Sequence, residues 1–315
     1  MLSSTADKLF WMARYTERAE NLARMLDVNY RMSLFPNPLG TTQGWNALLA
    51  TSDLMGEFKT RYEEITPENA LAFFAFDYAN PSSIISCWHA VRENARAVRG
   101  ALTAETWETV NTTWLELKGI QATIHTGADV GNFFEWVKYR SHLLRGVLRS
   151  TMLRDEAFNF SWLGTYLERA DNTARIIDVK YHLLLPRGEG VGSAVDYYQW
   201  SSLLNSVAAF EIYRKVYRDV ITPKRVAELL ILNDEMPRSL AHCIRQSYFH
   251  LQQVRNHHSA ETERRMGILD AELHFGRIDD IFNAGLHEYL QRFIELVYDL
   301  GDSVAKDFLI PSEVA

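Results

Sequence analysis

The segment Trp11–Tyr30, WMARYTERAENLARMLDVNY, occurs twice in this chain. Shifted by 151 residues, Trp162–Tyr181 reads WLGTYLERADNTARIIDVKY, and eleven of the twenty positions are identical. Average composition would give about one or two identities by chance. The chain therefore contains an internal duplication, and this repeat guides the interpretation of the rest of the sequence.

Apolar residues recur in both copies at three- and four-residue intervals, which is typical of one face of an α-helix. Another face is polar, and in the first copy it carries Glu17, Glu20, Asn21, Arg24 and Asp27. The second copy repeats this row as Glu168, Asp171, Asn172, Arg175 and Asp178. Each copy also contains a Glu-Arg pair, whose arginine, Arg18 or Arg169, lies roughly 100° round the helix from its glutamate.

The charged rows allow two interpretations. A solvated helix face needs only to be polar, so two diverging copies would be expected to scramble their charges. Since both rows keep both signs and the amide, they indicate either a buried ion-pair network or a ligand or catalytic site. The network is favoured, because structural ion pairs also form such clusters. We expect both rows to face inward or to line a cleft, and each arginine to reach a separate partner helix.

The repeated Glu-Arg pair resembles the ER motif after which the bacterial alpha-E family is named. Glu17, Arg18, Glu168 and Arg169, with their flanking residues, carry the resemblance, which extends over the chain in length and helical character. It implies operons that also encode a circularly permuted ATP-grasp protein and a transglutaminase-like peptidase, sometimes with a proteasome-like hydrolase. The resemblance supplies no catalytic residue to transfer.

The resemblance implies that the chain is an accessory or catalytic component of an ATP-grasp-dependent system. Such a system forms or modifies peptide or amide bonds. The alternative is a non-catalytic helical scaffold or protein-interaction module in which the ER networks are structural. No cofactor is evident in the sequence, so ATP and magnesium would enter only through the ATP-grasp partner. No nucleophile with a recognisable base can be read from the chain, and whether it is an enzyme stays open.

Composition points to an acidic globular protein with a large helical core. The 315 residues are 47% hydrophobic, and only 8 Pro and 16 Gly are available to punctuate short strands, which favours long helices. A formal net charge of -7 and a pI near 5.8 argue against nucleic-acid binding. The first residues show neither a leader pattern nor a long apolar run, so we expect a cytoplasmic protein without a membrane anchor.

The duplication extends past the repeated helix. At a shift of 156 residues, ITPENA matches ITPKRV, and NPSSIISC matches MPRSLAHC, which pairs Cys87 with Cys243. We therefore predict a single all-α domain of about twelve helices, with two pseudo-symmetric six-helix halves, approximately 1–154 and 155–315, that share one core. The last predicted helix runs from about Arg277 to Asp307. The predicted helix N-caps are Thr66, Thr103, Thr222 and Ser259.

Both cysteines lie within helical, largely apolar patterns. Cys87 and Cys243 are too few for a disulfide scaffold or a cysteine-based zinc site. We expect them to be unpaired, small buried residues rather than reactive thiols.

Two further patterns suggest ligands only weakly. Gly188, Gly190 and Gly192 precede a helix, but no strand comes before them and no Lys-Ser/Thr pair follows, so a flexible connection is favoured over phosphate binding. Asp279-Asp280 with Asn283 faintly resembles a magnesium-binding aspartate motif, yet capping and the helix dipole explain the two aspartates near a helix start.

Three histidines near one helix end raise the question of a metal. His250 and His257 share a helix face, and His258 follows. A di-iron bundle would need Glu-x-x-His pairs, and the sequence contains none. Capping or hydrogen bonding is therefore favoured, and no metal site is predicted.

A basic row occurs in one half only. It consists of Lys138, His142, Arg145 and Arg149 at helical spacing, and the matching positions in the second half are Gln291, Glu295, Tyr298 and Asp302. We expect this row to neutralise the acidic row of one ER helix, with binding of an anionic ligand as the alternative. The two ER motifs are therefore predicted to do unequal work, because only one of them can face the basic row.

Overall fold

A computed structural model describes residues 1–33, 41–123, 128–184 and 194–310. Within these ranges the chain forms fifteen α-helices and no β-strand, which confirms the all-α prediction. Before residue 154 the helices are α1 (Ser3–Ser33), α2 (Thr41–Thr51), α3 (Met55–Lys59), α4 (Pro67–Leu71), α5 (Ile84–Ala97), α6 (Ala104–Thr123) and α7 (Ala128–Thr151). After it come α8 (Glu156–Leu184), α9 (Ala194–Ser206), α10 (Phe210–Tyr217), α11 (Pro223–Ile231), α12 (Leu240–Val254), α13 (Ala260–His274), α14 (Ile278–Ala284) and α15 (Leu286–Val304).

The predicted number of about twelve helices is too low for three reasons. The short helices α3 and α10 were not anticipated, since Leu54 and Ala209 precede them and neither supplies a side-chain cap. The last predicted helix is interrupted at Gly285, which separates α14 from α15. Gly285 adopts a φ of 99°, in the region that favours glycine, so the helix ends there and a new one begins.

Hydroxyl caps fix where several helices begin. The Oγ1 atoms of Thr66, Thr103 and Thr222 each accept a hydrogen bond from the backbone N–H three residues on, at 3.1, 3.3 and 3.4 Å, which confirms these predicted N-caps. Ser259 is the N-cap residue of α13 by position, as predicted, but its side chain makes no capping hydrogen bond. Its hydroxyl accepts from the backbone N–H of Asn256 and donates to the Asn256 carbonyl, so it closes the preceding loop instead of capping α13.

Helices α1 and α8, which carry the two copies of the repeat, form the most extensive helix pair in the described chain. Helices α5 and α7 also pack on α1, and α12 and α15 pack on α8. At Gly164 of α8, an added Cβ would lie 3.2 Å from the carbonyl carbon of Phe10 in α1 and closer still to its oxygen, so glycine permits this close approach.

Buried apolar side chains from both sides of residue 154 form one hydrophobic cluster. The described part of the chain therefore has the shared core that the absence of a linker predicted. The division into two pseudo-symmetric halves stays a prediction. Among the described helices there is none with the unbroken apolar length that a transbilayer segment requires.

The two cysteines are buried and unpaired, as expected. The Sγ atom of Cys87 lies 3.5 Å from the carbonyl oxygen of Ser82, and that of Cys243 lies 3.9 Å from the carbonyl oxygen of Pro237. Burial raises the pKa of each thiol to about 12, because a thiolate would lose its hydration.

We expect Cys87 and Cys243 to react with iodoacetamide far more slowly in the native protein than in urea, because the thiolate form and access are both suppressed. Intact-mass spectrometry over a labelling time course measures this. The urea-unfolded chain is the control and should gain two labels. Rapid native labelling at either cysteine would contradict the expectation.

Candidate functional site

The two ER motifs pair with each other across the contact between α1 and α8. Arg169 donates from Nε and Nη2 to the two carboxylate oxygens of Glu17, both at 2.8 Å. In the reverse direction, Arg18 donates from Nε and Nη2 to Glu168, at 2.6 and 3.1 Å. Both pairs are bidentate. Each arginine reaches a separate partner helix, as expected, and these two helices are α8 for Arg18 and α1 for Arg169, so each motif partners the other.

Two further arginines close the first motif. Arg145 of α7 donates to Glu17 Oε2 at 2.9 Å and also to Glu20. Arg238, directly before α12, donates to Glu17 Oε1 at 2.9 Å, to Glu20 Oε1 at 2.5 Å and to Asn21 Oδ1 at 2.7 Å. Neither carboxylate is exposed to solvent, and each oxygen of Glu17 accepts two hydrogen bonds. The predicted inward orientation is confirmed for these residues.

This first network has more positive than negative charge. It consists of two carboxylates and an amide surrounded by guanidinium groups, namely Glu17, Glu20 and Asn21 with Arg24, Arg145, Arg169 and Arg238. Burial alone would raise the pKa of Glu17, but three of these arginines lower it to about 2. Burial and arginines likewise oppose each other at Glu20, where the arginines prevail and the pKa lies well below its usual value. Four positive charges therefore face two negative ones.

The basic row of α7 faces the first copy of the repeat. Lys138 donates to Asp27 at 2.9 Å, and Arg145 reaches Glu17 and Glu20 as described. The expected neutralisation of one acidic row is seen at these two positions. The predicted asymmetry is seen as well, since the basic row contacts the α1 copy and not the polar row of α8.

The other two members of the basic row behave differently. The half-exposed ring of His142 lies 3.1 Å from Arg24 Nη2 and 3.2 Å from Arg145 Nη2. Arg149 turns away from the row, and its guanidinium carbon lies 5.7 Å from the ring centroid of Trp162. Binding of an anionic ligand by this row stays a prediction.

The second network consists of Glu168, Asp171 and Asn172 with Arg14, Arg18 and Arg175. Arg14 donates to Glu168 at 2.7 Å beside Arg18, and Arg175 donates to Asp171 at 2.9 Å within α8. Burial would raise the pKa of Glu168, but Arg18 and Arg14 lower it to about 2. Arg14 and Arg18 keep 18% and 28% of their side chains exposed, against 8–12% for the four arginines of the first network, so this network is less enclosed.

Asp178 ends the second row as Asp27 ends the first. His287 Nδ1 lies 2.6 Å from one oxygen of Asp178, and Gln291 Nε2 donates to the other at 2.7 Å. Gln291 is the residue that the sequence matches with Lys138, so the two positions serve their local aspartates in the same way. A neutral amide replaces the ammonium group in the second copy.

A polar cleft of about 220 Å³ opens beside the second network. Its polar wall is formed by Arg18, Ser82, Glu168, Asp171, Asn172 and Arg175. The Asn172 side chain makes no hydrogen bond to any described residue. The second row thus lines a cleft, one of the two outcomes that its sequence predicts.

Sequence reasoning missed two arginines of these networks. Arg238 stands opposite Ser82 in the matched segments MPRSLAHC and NPSSIISC, and Arg14 stands opposite Thr165 in the repeat. Each is a charge that one copy has and the other lacks. A charge that is present in only one copy of the repeat, next to charges that both copies share, is the sequence feature that would have indicated these arginines.

The histidine cluster does not converge. His250 is buried, stacks on the rings of Trp162 and Tyr166, and its Nδ1 lies 2.8 Å from Asn159 Oδ1, whereas His257 and His258 are exposed. No group of three or more metal-binding side chains occurs within the described ranges.

The two weaker ligand patterns have different outcomes. Asp279 and Asp280 lie in the first turn of α14, in agreement with the dipole interpretation, and Asp279 pairs with Lys224. The capping interpretation is wrong, because the N-cap residue is Arg277 and no side chain caps this helix. Gly188, Gly190 and Gly192 lie outside the described residues.

The fold and the networks define an all-helical protein built on two central helices that exchange glutamate–arginine pairs. A family model, described as "Alpha-E: A predicted alpha-helical domain with a conserved ER motif", matches residues 1–309. The chain belongs to this family. Comparison with curated proteins gives no match, and neither does comparison with solved structures.

We expect Glu17→Gln to lower the free energy of unfolding by about 3–5 kcal/mol, the usual cost of leaving buried charges unpaired. Glu168→Gln should cost less, about 1–3 kcal/mol, because Arg14 and Arg18 can gain hydration. Urea denaturation of both variants measures the difference. Glu261→Gln, on an exposed pair, is the control and should change little. Equal losses at Glu17 and Glu168 would contradict the unequal enclosure of the networks.

We expect His250 to make stability depend on pH. Burial, with a smaller effect of Arg149, lowers its pKa from 6.5 to about 4. The unfolded chain therefore takes up the proton first, so the stability contributed by the neutral ring is complete above pH 6.5 and is lost as pH falls towards 4. His250→Phe should flatten the stability profile in this window, measured by denaturation at a series of pH values. His257→Phe is the exposed control, and an unchanged profile in His250→Phe would exclude this origin.

Proposed function

We propose that this chain is an accessory component of an ATP-grasp-dependent system that forms or modifies peptide or amide bonds, and that it binds rather than reacts. The observation that carries the proposal is the protonation state of its ER glutamates. A general base works best with a pKa near the operating pH, whereas Glu17 and Glu168 have pKa values of about 2. At neutral pH they are carboxylates held by arginines and are poor proton acceptors.

The thiols also argue against catalysis by this chain, because their pKa is raised where that of the glutamates is lowered. Cys87 and Cys243 have pKa values of about 12 and are buried, so neither offers a thiolate nucleophile. The ER glutamates and the two cysteines are therefore poorly suited to proton transfer and nucleophilic attack. Covalent chemistry, together with ATP and magnesium, is assigned in this proposal to the partner protein.

The proposed partner is the one that the sequence resemblance implies. The alpha-E resemblance implies a circularly permuted ATP-grasp protein as the first partner and a transglutaminase-like peptidase as the second. An ATP-grasp enzyme activates a carboxylate with ATP, and an accessory protein could contribute by binding or presenting one reactant. The cleft beside the second network is the part of the described chain suited to this task.

The second candidate is a scaffold without a ligand. The closed first network favours it, because Glu17 and Glu20 are fully buried and have no solvent face through which to meet a ligand. The two candidates differ at the cleft, which a pure scaffold does not use.

We expect the chain to copurify with a circularly permuted ATP-grasp protein from the same organism and to raise that protein's ADP release in the presence of its substrates. Alone, the chain should release no ADP. In Asn172→Leu, which removes the amide from the cleft wall without removing a charge, the complex should persist while the stimulation is lost. Asn283→Leu, at an exposed position of α14 where the side chain makes no hydrogen bond to a described residue, is the control.

Three outcomes would contradict this proposal in different ways. ADP release by the chain alone would make it a catalyst. A complex whose stimulation survives Asn172→Leu would favour the scaffold. Absence of both complex and stimulation would remove the ATP-grasp role.

A further inference from the structure

Arg238 satisfies three acceptors at once in the first network. Its guanidinium donates to Glu17 Oε1 at 2.9 Å, to Asn21 Oδ1 at 2.7 Å and to Glu20 Oε1 at 2.5 Å. The side chain is buried, and its fork of N–H groups fits the spacing of these acceptors on α1. The three acceptors follow each other at i, i+3 and i+4, so they form one patch on the helix surface.

The same three positions recur on α8 as Glu168, Asp171 and Asn172, but the residue opposite Arg238 is Ser82. The local surroundings correspond. Ser82 and Arg238 each directly precede a serine N-cap, Ser83 of α5 or Ser239 of α12, whose hydroxyl accepts from the backbone N–H three residues on. Ser82 lines the cleft, and its short side chain leaves the volume that a guanidinium fills at the first motif.

In the second motif, the acceptors that match those of Arg238 have no corresponding arginine. Glu17 Oε1 accepts from Arg169 Nε and Arg238, whereas Glu168 Oε1 accepts from Arg18 Nε alone. Among the described residues nothing donates to Asn172 Oδ1. The cleft that these atoms border, about 220 Å³, has room for roughly seven water molecules at about 30 Å³ each, which is enough for an amino-acid-sized molecule.

The Asp171 carboxylate completes this comparison. In the first network, Glu20 Oε1 accepts from both Arg24, four residues on, and Arg238. In the second, the Asp171 carboxylate accepts from Arg175, four residues on, and from no other described residue. The intrahelical bond is thus kept in both copies, and the bond from outside the helix is present in only one.

Local charge also permits a cation. Arg14, Arg18 and Arg175 balance Glu168, Asp171 and the nearby Asp53. Burial would lower the pKa of Arg175, but Asp171, with a smaller effect of Asp53, raises it. One added positive charge would leave an excess of one. The first network already holds four arginines against two glutamates, an excess of two, so the fold tolerates such a balance.

We propose that the cleft beside Glu168, Asp171 and Asn172 binds the guanidinium or primary ammonium group of a small molecule, in the place that Arg238 occupies in the first network. The group donates to the free acceptor sites on Glu168 Oε1, Asp171 and Asn172 Oδ1. The inference rests on the proposed function in that it names the chemical class that the same cleft binds. Its test uses the isolated chain, so its failure is distinguishable from failure of the ATP-grasp role.

Isothermal titration calorimetry of the full chain tests the site with agmatine, which has both a guanidinium and an ammonium group. L-arginine adds a carboxylate, N-acetyl-arginine methylamide represents an arginine within a peptide, and inorganic phosphate is the anionic probe. Agmatine is expected to bind. The ranking of L-arginine and the capped arginine then distinguishes a free metabolite from a peptide as the source of the group.

Ser82→Arg is the decisive variant, because it supplies the guanidinium from within the chain. It should weaken agmatine binding by about tenfold or more and raise the melting temperature, as the new arginine takes the free acceptors. Ser82→Ala is the matched control, since it leaves the cleft open and should bind agmatine like the wild type. Binding of phosphate but not of agmatine, agmatine binding unchanged in Ser82→Arg, or binding of no probe would each overturn the proposal.

The converse variant tests the first network. Arg238→Ser opens the equivalent place beside Glu17, Glu20 and Asn21, and should lower the melting temperature. Added agmatine should restore part of that loss while shifting Arg238→Lys less. Failure of agmatine to stabilise a folded Arg238→Ser protein would count against recognition of a free guanidinium by this acceptor set. If Arg238→Ser does not fold, the Ser82 variants decide.

Discussion

The mutual pairing of Glu17 with Arg169 and of Glu168 with Arg18 is the constraint on which the rest of the structure depends. An ionised carboxylate costs several kcal/mol to remove from water unless partners replace its hydration. Here the first partner of each glutamate comes from the other copy of the repeat. Neither α1 nor α8 can therefore be buried without the other, and this couples two segments that lie about 150 residues apart in the sequence. The single hydrophobic cluster around these helices follows from that coupling.

A duplicated element need not keep a duplicated role. The first network is closed by Arg145 and Arg238, and the positions that match them carry Tyr298 and Ser82. Tyr298 is exposed, and the short hydroxyl of Ser82 lines the cleft beside Glu168. Closed and open versions of one arrangement thus coexist in one chain. The closed version shows which chemical group the acceptors can take, and this is the reason to look for a cation in the open one.

The electrostatics of the interior also bear on chemistry. Arginines hold the glutamates in the carboxylate form, while burial without a paired cation holds the thiols protonated. Both effects move the pKa of a potential catalyst away from neutrality, in opposite directions. These four side chains are therefore poorly suited to proton transfer or nucleophilic attack. For this reason the proposed function assigns the reaction chemistry to a partner protein.

The sequence by itself determined the helical class, the duplication, the polar rows and the caps at Thr66, Thr103 and Thr222, because these depend on periodicity and on contacts between near neighbours. It also indicated that the basic row would face one copy only, since that row exists only once. It could not determine that Arg18 and Arg169 pair across the repeat, that Arg149 turns to Trp162, or that Ser82 leaves a cleft where Arg238 fills one. Such outcomes depend on which helices meet and at what angle, and side chains distant in sequence become partners only when the packed core brings their helices together.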